Sequence, residues 1–343
     1  MIDPLDDVEM AIVIPAWNAA EVLASSLPVV VREAGDFDVL VVDAGSTDDT
    51  AEVARSHGVD VLSLPRRAGP AEARNAGVDA KDKEVILFLD ADCVPAEGLV
   101  ERVRERFAED HTLVSLTGSY DEAPLHRNFF SLYMNLRHHF VHHEAEREGA
   151  TFWAGLGAVR RAAFELAGGF DEKRYPRPMI EDIDLAQRLK PLGRMALDPG
   201  LQVKHLKRWS FFSVVRTDIV CRALPWSRLI VEGGTMPDDL NLKRSQRLAA
   251  VVACLLVAGL LMAPLWIPLA PWVGGVWGAL AAISLGLHGK MLRCFRGLEG
   301  WGFALKAWAF HQVHLTYSTL AFAWVSVVHR WRRLFARRGE STS

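Results

Sequence analysis

The sequence predicts an α/β domain followed by an all-α membrane module, and three observations carry that expectation. Short β-rich runs alternate with helical stretches over residues 10–120, the pattern of a sheet flanked by helices. No Asp, Glu, Lys or Arg interrupts the 42 positions between Arg247 and Lys290. Charge is also split: from Asn241 onward 12 Lys and Arg face 2 acids, Glu299 and Glu340, a balance of +10 that leaves about −13 for residues 1–240 within a net −3. Two environments follow, and a wholly soluble chain is excluded.

In chain order, residues 10–15 read as strand, 21–33 as a helix interrupted at Pro28, 39–43 as strand and 49–57 as helix. Residues 59–64 read as strand, 71–78 as helix, 85–90 as strand and 96–108 as helix. Three strands end in polar residues: Pro15-Ala16-Trp17-Asn18, Asp43-Ala44-Gly45-Ser46-Thr47-Asp48 and Asp90-Ala91-Asp92. Ligands of open α/β sheets bind at the carboxyl ends of strands, so these ends mark a candidate site. Neither GxGxxG nor GxxxxGK[ST] is present, which weakens the dinucleotide and P-loop readings.

Asp90 and Asp92 offer hard oxygen ligands at i and i+2, suited to Mg²⁺ or Mn²⁺ bridging a diphosphate. The same pair can equally cap the next helix. Asp43 can accept hydrogen bonds from a base or ribose, or simply form the turn. Arg74, on the helix after loop 66–70, can reach a phosphate or face solvent. Glu181, Asp182 and Asp184 open an amphipathic helix through Leu185, Arg188 and Leu189. The helix macrodipole accounts for acids there, whereas a general base at Asp182 would take a proton from an attacking hydroxyl. The loop 171–178, with Gly168-Gly169 before it and two prolines within it, is placed to close over a donor.

At ~1.5 Å per residue the uncharged run would make about 60 Å of helix, roughly twice a ~30 Å hydrocarbon core. A hairpin of spans near 248–267 and 270–289 is expected, with Pro264, Pro268 and Pro271 at the turn and Trp266 and Trp272 flanking it. Residues 307–328 form a third candidate span that carries His311 and His314. Lys243, Arg244 and Arg247 before the hairpin, with Lys290, Arg293 and Arg296 after it, put both ends and the N-terminal domain in the cytosol. The tail Arg330, Arg332, Arg333, Arg337 and Arg338 then fits best if the third segment lies in the interface. Asp3, Asp6, Asp7 and Glu9 are the reverse of a signal-peptide n-region, so export is not expected. The expected divisions are 1–210, an interfacial linker 211–246, and a multi-pass inner-membrane module 247–343.

Residues 211–231 set Phe211, Phe212 and Val214 among Arg216, Arg222 and Arg228, which suits an anionic lipid interface or a domain-packing helix. His138, His139, His142 and His143 make two i,i+4 pairs at zinc-binding spacing. With no third ligand nearby, that helix is expected to line the acceptor entrance or meet headgroups. Cys93, Cys221, Cys254 and Cys294 lack CxxC spacing and read as reduced thiols.

Taken together, seven segments resemble the family 2 glycosyltransferases of the GT-A nucleotide-diphospho-sugar transferase fold, a mostly parallel sheet flanked by helices. They run in family order over about residues 8–210: IPAWNAA at 14–20, VVDAGSTDDT at 41–50, AEARNAG at 71–77, FLDADC at 88–93, FWAGLGAVRR at 152–161, GGFDE at 168–172 and EDIDLAQRL at 181–189. The resemblance implies that Pro15, Trp17 and Asp43 line a nucleotide pocket, with Arg74 near the diphosphate and Glu181 among the donor-binding residues. It implies Asp90 against ribose and metal, Asp92 as metal ligand, Gly155 in the FWAGLG strand beside the donor sugar, and Asp182 as base of an inverting displacement. His205 resembles a late histidine that holds metal or diphosphate in some relatives, and can equally be a packed histidine.

Ala44 replaces the second acid of a DDGS-like segment, and Trp17 stands where Tyr is frequent. The QxxRW signature of processive synthases is missing, since Leu206-Lys207-Arg208-Trp209 lacks the Gln, so transfer of one sugar is expected. The resemblance implies a membrane-attached inverting enzyme of cell-envelope glycan or glycolipid synthesis. It would move a sugar from a UDP- or GDP-linked donor to a hydroxyl of a lipid or lipid-linked saccharide, with Mg²⁺ or Mn²⁺. Membrane lipids are expected partners, nucleic acid is not, and a homo-oligomer is compatible. Two alternatives stand beside it: a polyprenyl-phosphate glycosyltransferase resembling dolichyl-phosphate-mannose synthase, and a catalytically silent nucleotide-sugar-binding membrane protein.

Overall fold

The computed structural model describes residues 8–149, 152–233, 244–262 and 270–340, in two units, Met1–Trp209 and Ser210–Ser343. The first unit holds strands β1 (Met10–Ala16), β2 (Asp38–Asp43), β3 (Asp60–Ser63), β4 (Val85–Leu89), β5 (Cys93–Pro95), β6 (Leu113–Tyr120), β7 (Leu156–Arg160) and β8 (Arg194–His205). Its helices are α1 (Ala20–Ala34), α2 (Thr50–Ser56), α3 (Pro70–Ala80), α4 (Leu99–Glu109), α5 (Phe129–Glu144), α6 (Arg161–Leu166) and α7 (Glu181–Leu189).

The strands form one sheet in the order β3-β2-β1-β4-β7-β6-β8-β5. From β3 to β4 it is parallel. Beyond β4 it is mixed: β7 is antiparallel to β4 and β6, β8 is parallel to β6, and β5 is antiparallel to β8. The expectation of a mostly parallel sheet therefore holds for only one half. The reason lies in β7, which starts where β4 ends, Leu156 opposite Leu89, and runs back. Gly155 is thereby delivered beside Asp90, whose N–H donates to the Gly155 carbonyl at 3.2 Å. Gly155 sits in the turn before β7 rather than within the strand.

Alternation along the strands sends one set of side chains to each face. On one face Ile12, Ile14, Val41 and Leu87 pack with Leu23 and Leu27 of α1 and Val103 and Phe107 of α4. On the other, Val13, Val42 and Phe88 pack with α3, α6 and α7 through Val78, Phe164 and Leu185. Phe88 meets Phe152, Phe164 and Phe170 at centroid distances of 6.3, 5.8 and 5.4 Å. Truncating such a ring to Ala costs about 3–5 kcal/mol. Helix α1 runs through Pro28 unbroken, because Pro28 lies on the exposed side while Leu23, Leu27, Val30 and Ala34 bury the other. The carbonyl it leaves unbonded thus faces water.

Three of the four α5 histidines bond to backbone carbonyls. His139 Nδ1 and His142 Nδ1 each lie 2.9 Å from a β6 carbonyl, those of Tyr120 and Gly118. His143 Nδ1 reaches the His139 carbonyl at 2.8 Å. His139 and His142 are buried, so these side chains pin α5 to the sheet instead of meeting zinc or headgroups.

The second unit opens with α8 (Phe211–Arg216), a π-helical stretch Thr217–Ala223 and α9 (Leu224–Gly233), followed by α10 (Arg244–Met262), α11 (Ala270–Leu287) and α12 (Gly289–Glu340). The π stretch divides the expected interfacial helix and buries Asp218. Helix α10 is long and apolar enough to cross a membrane, and Trp272–Leu287 with Gly289–Arg333, bent by 71°, passes the same test as a broken span. The third candidate, 307–328, lies within the helix that follows the break in α12 at Gly300, where φ is 79°. Pro264, Trp266 and Pro268 of the expected turn lie outside the described residues, as do Asp3, Asp6, Asp7 and Lys243.

Candidate active site

Strands β1 and β2 end side by side, Pro15 in register with Val42 and Ala16 with Asp43. Past β1, Asn18 adopts φ 48°; its N–H donates to Ser46 Oγ at 2.9 Å and its Oδ1 accepts from the Thr47 N–H at 2.8 Å. Asp43, 7% exposed, accepts from the Ser46 N–H at 2.9 Å, so one carboxylate oxygen serves the turn. Gly45 has φ 73° and a Cβ there would lie 2.4 Å from the Arg66 carbonyl carbon, which leaves glycine as the residue that fits. Trp17 is 42% exposed beside this turn. The Arg67 guanidinium carbon lies 3.8 Å from its ring centroid.

Arg74 ties distant segments together. Pro70 starts α3 at a position where its missing N–H costs nothing, and one turn later Arg74 is 4% exposed. Its Nη2 donates to Asp90 Oδ1 at 2.7 Å and its Nη1 to Glu181 Oε1 at 3.1 Å. Burial opposes the charge, but Asp90, Glu181 and Asp182 outweigh it and hold the guanidinium protonated above its usual range. The Arg74 Nε is buried without a hydrogen-bond partner among the described residues. Glu181 Oε2 accepts from the Met179 N–H at 2.8 Å at the start of α7.

Asp182 follows, half-buried. Burial, then the adjacent Glu181 charge, push its carboxyl up to about 7, against the opposing pull of Arg74 and the N–H groups of Ile183 and Ala154. Asp90 and Asp92, two residues apart, are shifted in opposite directions. Burial raises Asp90, and the Asp92 charge adds to it while Arg74 offsets part. Burial also presses on Asp92, but hydrogen bonding and charge from His205, with Lys207, lower it. His205 Nε2 stands 3.6 Å from Asp92 Oδ2 and its ring stacks on Tyr120 at 4.3 Å.

The three residues expected to hold a metal are thus near one another without closing a cage. Among the described residues, no group of three or more His, Cys, Asp or Glu side chains forms one, and Asp90 Oδ1 is turned to Arg74. One or two carboxylates, with substrate phosphates completing the shell, is the donor set Mg²⁺ ordinarily takes, and Asp92 with Asp90 fits it, whereas the nitrogen of His205 is not part of that set.

Sequence reasoning missed Arg67 as a neighbour of Trp17 and Lys207 as a charge on Asp92. Lys207 lies two residues beyond the end of β8, and that position was its only sequence signal. It also missed the aromatic wall of Tyr120, His138 and Trp153, in which Trp153 lies 4.7 and 4.3 Å from the other two. A Cβ on Gly155 would strike the Trp153 ring at 2.4 Å. In the loop 171–178 only Tyr175 is buried, at 3% exposure, and a Cβ on Gly69 would lie 2.6 Å from the Pro176 carbonyl oxygen.

The fold is similar to that of a mannosyltransferase from Pyrobaculum calidifontis solved with GDP-Man and Mn²⁺, at TM-score 0.57 and 18% identity, over 94% of this chain and 89% of that one. The glycosyltransferase AglE of Haloferax volcanii is 33% identical over 101 residues, 27% of this chain and 33% of that protein. The pre-mycofactocin glycosyltransferase of Mycobacterium tuberculosis is 29% identical over 209 residues, 57% of this chain and 42% of that protein. The chain spans less than half the length of these two curated relatives. Across residues 11–166, the stretch that supplies Pro15, Trp17, Asp43, Arg74, Asp90, Asp92 and Gly155, the chain matches the family Glycosyl transferase family 2.

Proposed function

We propose that this chain is a membrane-attached inverting glycosyltransferase that moves one sugar from a nucleotide-diphosphate donor to a hydroxyl of a lipid or lipid-linked saccharide. The observation that carries it is Asp182, a half-buried carboxyl raised to about 7 at the rim of the Arg74–Asp90–Glu181 cluster. A base works best when its pKa is near the working pH, and structural carboxylates in ion pairs are ordinarily shifted the other way.

In this reading Trp17 and Asp43 take the base, and Arg74 meets the diphosphate. Asp92, Asp90 and His205 would hold a Mg²⁺ or Mn²⁺, which when bound neutralises charge on the departing diphosphate. Asp182 removes the acceptor hydroxyl proton as that oxygen attacks the anomeric carbon; the bond from that carbon to the diphosphate oxygen breaks, and configuration inverts. A phosphate acceptor is already ionised near neutral pH and needs no base, so the position of Asp182 favours a hydroxyl over a polyprenyl phosphate.

Membrane attachment is supported by the apolar length of α10 and by the exposure of Leu255, Leu260, Leu261, Trp272 and Trp324 in the second unit. An enzyme held at a bilayer meets acceptors held there too. A thermal-shift panel of UDP- and GDP-sugars, with and without Mn²⁺, tests the proposal. A metal-dependent rise for one donor is expected. No rise for any donor, together with neither transfer nor hydrolysis by protein in lipid, would leave a silent membrane protein as the better reading.

A further inference from the structure

We infer that Arg67 reads the nucleobase and sets a preference for guanine; this rests on the nucleotide-sugar reading above. The guanidinium lies 3.8 Å from the Trp17 ring centroid, flat-contact distance for a cation on an aromatic face. The loop that carries it is fixed to the β2 strand end by backbone bonds. Leu64 N–H donates to the Asp43 carbonyl at 2.8 Å and Ala68 N–H to the Ala44 carbonyl at 3.1 Å. Gly45 packs directly on the Arg66 carbonyl, so Arg67 and Asp43 are held at the same turn.

Arg66 and Arg67 are used differently. Arg66 is spent on Glu72, Nη2 to Oε1 at 2.8 Å. Among the described residues Arg67 meets no carboxylate, and its side chain lies over Trp17 alone. Contact at 3.8 Å leaves no room for a base between the two planes, which need about 7 Å. The guanidinium therefore occupies the platform itself, and an arriving base must displace it to the base's rim. There it presents a planar fork of N–H donors.

Two edges then select. Asp43, as a carboxylate acceptor, matches a base with a ring N–H. Guanine and uracil have one; adenine and cytosine do not. Arg67 donates, and two adjacent acceptors suit its fork: guanine offers O6 and N7 side by side, the O4 and O2 of uracil are separated by the N3–H that Asp43 takes, and adenine pairs N7 with an amino donor. Guanine alone satisfies both residues.

The test is calorimetric titration of the full chain in lipid nanodiscs with GDP, UDP and ADP, for the wild type, Arg67→Ala and Arg67→Lys. Both substitutions are at an exposed position outside the core. Wild type is expected to bind GDP about ten-fold or more tighter than UDP, with ADP weakest, from one bidentate contact. Arg67→Ala should lose about ten-fold for GDP and under about two-fold for UDP. Arg67→Lys keeps the charge without the fork and should lose the preference as well. Equal binding of GDP and UDP by the wild type, or an equal loss of both in Arg67→Ala, overturns the inference while leaving the nucleotide-sugar reading intact. Binding of none of the three by the wild type overturns both.

Discussion

Each unit contains a buried acid held by an arginine, and the two clusters are finished differently. In the helical unit Asp218 is 1% exposed. Its Oδ1 accepts from Arg222 at 2.9 Å, and its Oδ2 takes the Tyr317 hydroxyl at 2.7 Å and lies 3.0 Å from His314 Nδ1. Both oxygens are satisfied. At the strand ends three acids, Asp90, Glu181 and Asp182, share one guanidinium whose Nε has no partner among the described residues. A network that serves only to hold helices together is completed from within. One that keeps more acid than its cation can balance, with one carboxyl raised to about 7, is left for a proton, a cation or a ligand to complete, as the proposed active site requires.

The largest expected effect separates activity from stability. Asp182→Asn should lower kcat by about 10²–10⁴, the usual contribution of a positioned base, yet raise the thermal midpoint, since the amide removes a charge that burial penalises. Unchanged turnover, or a lower midpoint, would break the contrast with Asp218. Next, Arg74→Ala should destabilise the first unit by about 3–5 kcal/mol, because it leaves Asp90 and Glu181 buried without a counter-charge. Denaturant midpoints measure this. The same variant should move the kcat/KM pH profile upward, because Arg74 is one of the groups holding Asp182 down. Asp218→Ala should cost the helical unit about 1–3 kcal/mol through its stranded donors and leave that profile where it was. A profile shift in Asp218→Ala would show that the two clusters are not independent.

Strand ends carrying Asp43 and Asp90-Ala91-Asp92 were legible because a short continuous apolar, β-rich run followed by acids is a local pattern, and so were the helices packed on them. The reversal at β7 was not: whether Leu156 pairs forward or backward with Leu89 depends on where α5 returns the chain, and no residue near β7 encodes that. Sequence also showed four histidines at metal spacing on α5 and hid their partners, since Gly118 and Tyr120 offer backbone carbonyls that any residue would offer. Arg74 could be singled out as a phosphate candidate, but its bridge to Glu181 spans 107 residues and exists only once α3 and α7 pack on the same face. Asp182 was legible as a carboxylate in a first helical turn, where the macrodipole alone would lower it. Its upward shift comes from burial and from Glu181, both products of the fold.

The smallest effect tests that last point through pH. Asp182 ordinarily titrates at 3.8 and in the folded chain at about 7, so folding favours its protonated form. Its contribution to stability is full below about 3.8 and is lost as pH rises through 7. A ceiling of about 4 kcal/mol follows from ~1.36 kcal/mol per pH unit, and relaxation of a half-buried carboxyl toward solvent reduces it to about 1–2 kcal/mol. Asp92 runs the other way: lowered by His205 and Lys207, it supports the fold above 3.8 and is lost as pH falls below that. His142, buried and lowered to about 4, runs against Asp182 between about pH 4 and 6.5, so the Asp182 window is read from the difference between the wild type and Asp182→Asn. Relative to the wild type, Asp182→Asn should gain stability progressively from pH 4 to 7 and leave the acid side unchanged. Over the same interval the proposed reaction predicts that kcat/KM of the wild type climbs as the Asp182 carboxylate forms. A difference between wild type and Asp182→Asn that stays flat from pH 4 to 7 would mean that solvent or a bound cation relieves Asp182 in the free protein, and the strand-end cluster would then be as closed as the one around Asp218.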